Sequence, residues 1–158
     1  MTRIAEVRVV FPLVVVLSAC GAPSTTTRDP ELEAMLELAR SGEYRTWSRE
    51  PAPHRSAGPH STVRTFINPT LEQSLRAGDT TFPVGSIALK ELFDGPGTKR
   101  TGWAIDWKLE DGWRFFEGFD PSLNEYFLKG TDNGCAGCHR PGVDYLLTPL
   151  SAFGTTDP

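Results

Sequence analysis

Two cysteines and a histidine lie together near the C-terminal end of the chain, in the order Cys135-Ala136-Gly137-Cys138-His139. This Cys-x-x-Cys-His spacing is typical of covalent haem attachment. The two thiols can bond to the two vinyl groups of a haem, and the imidazole that follows them can bind the iron. The sequence therefore predicts one covalent haem c, with Cys135 and Cys138 as attachment sites and His139 as axial ligand.

Two other chemistries use a pair of cysteines at this spacing. A zinc site would need further ligands, but only His54 and His60 remain outside the motif, and neither has zinc-finger spacing. A thioredoxin-like redox pair is expected near a strand-helix-strand unit, whereas here the motif follows a run of apparent hairpins. Both alternatives fit the sequence less well than haem attachment.

The second axial position of the iron separates electron carriers from reactive haems. The chain has two methionines, Met1 in the N-terminal segment and Met35 on the apolar side of a predicted helix. No methionine follows the motif, so an ordinary small electron-transfer cytochrome is disfavoured. His54 or His60 could supply a second imidazole, or both are solvated and the iron stays five-coordinate and open to small molecules.

The N-terminal segment resembles an export signal. A positively biased start precedes nine mostly apolar residues at 9–17, a run too short to cross a bilayer as a helix. The lipobox-like sequence that follows is Leu17-Ser18-Ala19-Cys20-Gly21. We therefore predict a lipoprotein signal peptide at 1–19 and lipidation of Cys20. The alternative is a conventional secretory signal, which would leave Cys20 as a thiol.

Composition and charge suit one exported domain. The 158 residues carry a net charge of −4, with 39% hydrophobic and 23% charged residues, which is ordinary for a globular domain. The chain has no basic run, and this argues against nucleic-acid binding. We expect a flexible tether at 20–29 and a folded domain at 30–158, held at the bacterial cell envelope by its lipid anchor and facing the periplasm or the exterior.

Hydrophobic periodicity and turn residues predict a mainly β, or α+β, domain. Asp29-Pro30 is typical of a helix start and Gly42 of a helix end, and a second helical turn is expected at 69–77. Short strand-like runs cover 63–67, 86–93, 102–109 and 113–119, and turn sequences separate several of them. The Pro-rich stretch 49–60 predicts an irregular loop. We expect an antiparallel sheet of hairpins with a few short helices.

From residue 63 to residue 148 the sequence resembles the cytochrome P-460 family, which includes the cytochrome c'-beta proteins. The similar segments are residues 63–69 (VRTFINP), 82–92 (FPVGSIALKEL), the hairpin with Gly102-Trp103 and Gly112-Trp113, and residues 144–148 (DYLLT) after the motif. The resemblance implies an antiparallel β fold with one pentacoordinate haem c on Cys135, Cys138 and His139.

The resemblance also suggests roles for Lys90 and Arg64. In hydroxylamine-oxidising members of the family a strand lysine is cross-linked to the porphyrin, and Lys90 aligns with it. Such a bond would distort the macrocycle and retune the iron. Arg64 matches an arginine near the haem pocket, where its fixed charge would orient a polar or anionic ligand. Each is alternatively a plain surface residue.

Two further features of the family have no clear counterpart in the sequence. Active members need a distal carboxylate as proton acceptor, and Asp120 and Glu125 are the nearest acids upstream of Asp132 and the motif. In the cytochrome c'-beta branch, phenylalanines cap the distal face. The eligible phenylalanines here are Phe66, Phe93, Phe116 and Phe119.

Three functions remain open at this point. The first is an oxidoreductase that acts on hydroxylamine or nitric oxide, with Lys90 and Arg64 in its site. The second is a protein that binds nitric oxide or carbon monoxide without turnover, and the third is an electron carrier with two axial histidines. The expected partners are a small gaseous or nitrogenous ligand and a redox protein, and a homodimer is left open.

Overall fold

The computed structural model describes residues 29–119, 128–130 and 134–154, of which 128–130 are described by their backbone. The predicted signal peptide, Cys20 and nearly all of the tether lie outside the described residues, as do Asp120, Glu125 and Asp132. Within the described ranges, no helix is both long enough and apolar enough to cross a membrane.

The first helix forms where its capping residues predict it. Helix α1 spans Pro30–Ser41, and the Asp29 carboxylate accepts hydrogen bonds from the backbone N–H groups of Glu31 and Leu32 at 3.0 and 3.4 Å. The helix ends at Gly42, whose φ of 72° is the left-handed conformation that glycine adopts without strain. The cap at each end of α1 is thus set by a local residue.

The described strands form a single antiparallel sheet, which confirms the predicted fold class. They are β1 (Ser48–Arg49), β2 (His54–Arg55), β3 (Thr62–Ile67), β4 (Ile87–Phe93), β5 (Arg100–Leu109), β6 (Gly112–Gly118) and β7 (Leu128–Gly130). The order is β1-β3-β4-β5-β6-β7, and β2 also pairs with β3. Strands β4, β5 and β6 are successive hairpins, as the turn sequences predict.

The structure adds three short strands to the sequence prediction. The stretch predicted as an irregular loop contains β1 and β2, which pair side by side with the outer edge of β3 through Ser48–Ile67 and His54–Val63. Proline at 51 and 53 interrupts this edge, because proline lacks the N–H that a continuous ladder needs. Strand β7 was also not predicted, and its three residues extend the sheet beyond β6.

Besides α1, two α-helices of the described residues lie outside the sheet. Helix α2 (Pro69–Ala77) forms as predicted, with the Asn68 side chain accepting from the Leu71 N–H. Helix α3 (Gly134–His139) carries the Cys-x-x-Cys-His motif.

Both faces of the sheet are covered, and alternate residues of β4 show the division. Leu89 packs with α1 in one hydrophobic cluster, and Ala88 packs with α2 and α3 residues in another. Side chains alternate between the faces of a strand, so Glu91 shares the α1 face and Lys90 shares the opposite face. We call these the α1 face and the motif face.

Candidate functional site

A cavity of about 950 Å³ lies on the motif face, within the range of roughly 300–1,000 Å³ that is usual for sites of bound organic molecules. Four parts of the described chain line it. They are the segment 50–60, the sheet residues Val63, Thr65, Lys90 and Glu117, the α3 residues Gly134, Cys135, Cys138 and His139, and the C-terminal residues Leu147, Thr148, Pro149 and Ala152.

All three side chains of the motif line this cavity. They stand at positions i, i+3 and i+4 of helix α3, a spacing that places them on one side of a helix. Cys135 is partly buried against the hydrophobic cluster of the motif face, whereas Cys138 is exposed. Burial, together with the Glu117 and Asp106 carboxylates, raises the pKa of the Cys135 thiol. Cys135 is thus unlike the low-pKa thiols of redox catalysts.

The His139 ring is held in one tautomer by its surroundings. Its Nδ1 lies 3.0 Å from the backbone carbonyl oxygen of Tyr145. Because a carbonyl oxygen can only accept, Nδ1 must carry the hydrogen, and Nε2 keeps its lone pair in the neutral ring. Burial lowers the pKa of His139, so the neutral form is favoured. A neutral imidazole fixed at Nδ1 is the usual arrangement of a metal-binding histidine.

The carbonyl that holds His139 comes from a strained turn. Asp144 and Tyr145 have φ values of 41° and 70°, a conformation that non-glycine residues rarely adopt. The Asp144 carboxylate fixes the turn by accepting from the Phe82 N–H at 2.8 Å and from Lys108 Nζ at 3.0 Å. The contacts of Asp144 thus hold the turn in the conformation that points the Tyr145 carbonyl oxygen at the His139 ring.

A buried carboxylate lies between the histidine and the strand lysine. Asp106 Oδ2 is 3.4 Å from His139 Nδ1 and 3.5 Å from Lys90 Nζ. Asp106 and Lys90 are each 7% exposed. The alternative that Lys90 is a plain surface residue is therefore wrong: its amine lies in the cavity wall beside the motif.

A second carboxylate lies in the row of paired residues that contains Lys90. Thr65 pairs with Lys90, Lys90 with Ala104, and Ala104 with Glu117, so the four residues cross the sheet side by side. The Glu117 carboxylate accepts from His60 Nδ1 at 2.9 Å, and the His60 side chain is largely buried. Lys90, Glu117 and His60 therefore face the same cavity as the motif.

The sequence reasoning missed Glu117 and Asp106, although strand alternation contains a signal for both. In β6, Glu117 follows Trp113 and Phe115 at two-residue steps, so it stands on an otherwise apolar face. In β5, Asp106 stands two residues after the buried Ala104 and therefore lies on the same face of the strand. An acid on the buried face of a strand is uncommon unless it is paired, and this marks a candidate site.

The segment 50–60 forms the outer wall of the cavity and is fastened to the sheet by Arg64. The Arg64 guanidinium donates to the backbone carbonyls of Glu50 at 2.8 Å and Pro51 at 3.1 Å, and it lies over the Phe66 ring. Arg64 itself is not among the cavity-lining residues that the structure describes. It thus supports the wall from outside, and the structure does not bring it together with Lys90 and the motif.

His54 lies in the same wall and is more exposed than His60. Its side chain is 52% exposed, its Nδ1 donates to the Arg55 carbonyl, and its Nε2 lies 3.0 Å from the Glu50 carboxylate. Partial burial opposes charging of the ring, but the two acceptors outweigh it and raise the pKa of His54. Both histidines therefore line the cavity, each beside a carboxylate.

The four phenylalanines considered as a distal cap do not line the described part of the cavity. Phe66 and Phe116 belong to the core of the α1 face, and Phe119 is 53% exposed. Among the described residues, Phe115 contacts the motif, with its ring in an edge-to-face arrangement with the His139 ring at a centroid distance of 5.3 Å.

Among the described residues, no group of three or more His, Cys, Asp and Glu side chains is arranged to hold a metal ion. A scan of the sequence against protein-family models gives no match, and a search of curated proteins gives no significant match.

Proposed function

We propose that this chain is a monohaem c-type cytochrome of the cytochrome P-460 type, which binds a small nitrogen-containing compound at its haem. In this proposal Cys135 and Cys138 attach the haem, and His139 binds its iron through Nε2. The observation that carries the proposal is that all three side chains of the motif line one large cavity while the His139 ring is held at Nδ1.

The residues of the cavity fit a haem better than they fit the two alternatives from the sequence. A structural zinc ion needs four close ligands and little space, whereas this cavity measures about 950 Å³. A redox pair needs a readily formed thiolate, whereas the pKa of Cys135 is raised. A large planar group bonded to α3 accounts for both the space and the thiols.

The haem, when bound, supplies a redox-active iron with one position for a small ligand. The protein would orient the iron-binding histidine and enclose the haem. The strained turn at Asp144 and Tyr145 holds the His139 ring, and the segment 50–60 separates the cavity from solvent on one side. Lys90 reaches the same cavity from strand β4, which supports the proposed cross-link. One C–N bond would replace an N–H bond of the amine and a C–H bond of the macrocycle, with two electrons and two protons passing to an external oxidant such as a peroxide.

Glu117 is the proposed proton acceptor for oxidation of hydroxylamine. Removing protons from a bound substrate requires a positioned base, and the Glu117 carboxylate lines the cavity with His60 as its hydrogen-bond donor. In this proposal Glu117 takes up the proton, and the hydrogen bond from His60 of the outer wall holds the carboxylate in place. The acids considered from the sequence, Asp120 and Glu125, lie outside the described residues.

A second candidate function rests on His60. Its Nδ1 is bound to Glu117, which leaves Nε2 as the nitrogen that could bind iron. If His60 occupied the second axial position, the protein would be an electron carrier with two axial histidines. A third arrangement, with an open iron and no turnover, would make it a nitric oxide- or carbon monoxide-binding protein.

The location of the protein is part of the proposal. The signal-like start and the Cys20 lipobox favour a lipoprotein of the bacterial envelope, where haem c is attached. The exposed Cys138 and Leu147 lie at the cavity, so an edge of the haem would be accessible to a redox partner there.

The experiment is to produce the protein with a haem c assembly system and record oxidised and reduced absorption spectra. A broad, red-shifted Soret band in the reduced form is expected if Lys90 is cross-linked, and hydroxylamine oxidation is then assayed. An ordinary high-spin spectrum would favour gas binding, and a sharp low-spin spectrum would favour the His60 alternative. The Cys135→Ser/Cys138→Ser variant is the control and should hold no covalent haem.

A further inference from the structure

Asp106 is a buried carboxylate with two unlike neighbours. The same oxygen, Oδ2, lies 3.4 Å from His139 Nδ1 and 3.5 Å from Lys90 Nζ. On the other face of the sheet, Glu91 accepts from the Tyr44 hydroxyl at 2.6 Å and from Arg100 at 2.9 Å. The two contacts of Asp106 are thus longer than those that Glu91 makes with Tyr44 and Arg100. His139 and Lys90 both lie close to the Asp106 carboxylate.

The position of Asp106 gives it influence over His139. The Nδ1–H of His139 already donates to the Tyr145 carbonyl at 3.0 Å. A carboxylate close to the same hydrogen adds negative charge beside the ring and makes its other nitrogen a better electron donor. A stronger axial donor stabilises the oxidised iron and lowers the reduction potential.

Lys90 limits this influence because its ammonium faces the same oxygen of Asp106. Opposite charges at this distance in a buried site attract each other strongly. The negative charge is therefore shared between Lys90 and His139 as long as the Lys90 amine is charged. If that amine is bonded to another group or replaced, the carboxylate acts on His139 alone.

We propose that Asp106 is a positioning residue that sets electron donation by His139 and makes it depend on the state of Lys90. This inference rests on the proposed function, because it concerns the histidine that would bind the haem iron. It assigns to Asp106 a role that is not needed for haem attachment itself. Lys90 and His139 are thus coupled through one oxygen atom.

The test is a double-mutant cycle read out by the reduction potential of the haem protein. Asp106→Asn should raise the potential whether or not the Lys90 amine is bonded to the macrocycle. Where the spectrum of the natural protein shows a free Lys90 amine, Lys90→Gln should lower the potential, because the carboxylate then acts on His139 alone. In the Asp106→Asn background, Lys90→Gln should have a clearly smaller effect, because the carboxylate that Lys90 shares is gone. Asp106→Glu keeps the charge and should restore a potential near that of the natural protein. Glu91→Gln is the matched control on the α1 face and should leave the potential unchanged.

Covalent haem content is measured first, so that two kinds of failure are distinguished. If the natural protein attaches no haem, the proposed function is wrong, and the proposed role of Asp106 is then wrong as well. If haem is attached and Asp106→Asn leaves the potential unchanged, or if the two substitutions are strictly additive in a protein with a free Lys90 amine, only the Asp106 inference is overturned. If Asp106→Asn does not fold, Asp106→Ser takes its place, and an unchanged potential contradicts the inference.

Discussion

Buried charged residues have different surroundings on the two faces of the sheet. On the α1 face, Glu91 accepts hydrogen bonds from Tyr44, Arg100 and Arg45, and the Trp103 indole donates to the Tyr44 hydroxyl. Burial and the Glu91 hydrogen bond raise the pKa of Tyr44, so the phenol stays protonated. This cluster is closed by short contacts and fills the core between α1 and the sheet.

On the motif face the buried charges surround space instead. Lys90, Asp106 and Glu117 come from three adjacent strands, and Lys90 and Glu117 line the cavity of about 950 Å³. Lys90 and Asp106 meet only at 3.5 Å. Glu91 is held by three donors and stabilises the fold, whereas charged side chains that line a cavity are candidates to act on a ligand. The difference distinguishes a structural cluster from a candidate site within one sheet.

The largest expected effect on stability is on the α1 face. Glu91→Ala removes the carboxylate that the Tyr44 hydroxyl and two arginines share, and it leaves buried polar groups unpaired. We expect the free energy of unfolding to fall by about 3–5 kcal/mol, measured by denaturant unfolding. Ligand affinity of the material that remains folded should be unchanged. A large loss of affinity would show that the two faces are not separate.

Glu117→Gln should strongly reduce turnover and change stability little, the opposite of Glu91→Ala. If Glu117 accepts a proton from the substrate, hydroxylamine turnover should fall by about 100-fold or more, while the free energy of unfolding changes by less than about 1 kcal/mol, because the amide still fills the site. Stopped-flow assays with the reduced and oxidised protein provide the rate. An unchanged rate together with a large loss of stability would place Glu117 with the structural residues.

Arg64 should show an intermediate effect, because it supports the cavity wall from outside. Arg64→Met removes two hydrogen bonds from a charged donor to backbone carbonyls, and we expect a loss of about 1–2 kcal/mol in unfolding free energy with a few-fold faster ligand release. The control is Arg76→Met, which removes an exposed pair with Glu72 and should cost less than about 0.5 kcal/mol. Equal effects of the two variants would contradict the role of Arg64.

The smallest effect concerns the pH dependence of the outer wall. The raised pKa of His54 means that its contacts with the Arg55 carbonyl and the Glu50 carboxylate contribute stability fully below the unfolded pKa of about 6.5. That contribution is lost as the pH rises through the higher folded pKa. Because the side chain is 52% exposed, we expect only a few tenths of a kcal/mol. His54→Gln should flatten this part of the stability profile.

Much of the fold could be predicted from local sequence signals. Asp29 and Gly42 define the ends of α1, and the Asp111-Gly112 turn defines the hairpin of β5 and β6, because the chemistry of these residues acts within a few positions. The two-residue strands β1 and β2 could not be predicted, since they form only where β3 offers its edge.

The site was predictable only in part, for the same physical reason. The motif at residues 135–139 is local, so its spacing alone suggests haem attachment. The meeting of Asp106, Lys90 and His139 joins three elements that are far apart in the sequence. Register between strands decides that meeting, and register is set by tertiary packing. Arg64 is a residue that the resemblance places near the haem pocket, whereas strand alternation directs its side chain away from the cavity.

The most direct test of the central claim is the mass of the purified, fully denatured protein after production with a haem c assembly system. We expect the mass to increase by one haem, and we expect the added mass to be on the peptide that contains Cys135, Cys138 and His139. The Cys135→Ser/Cys138→Ser variant should lack it. A natural protein without covalent haem on that peptide would contradict the account.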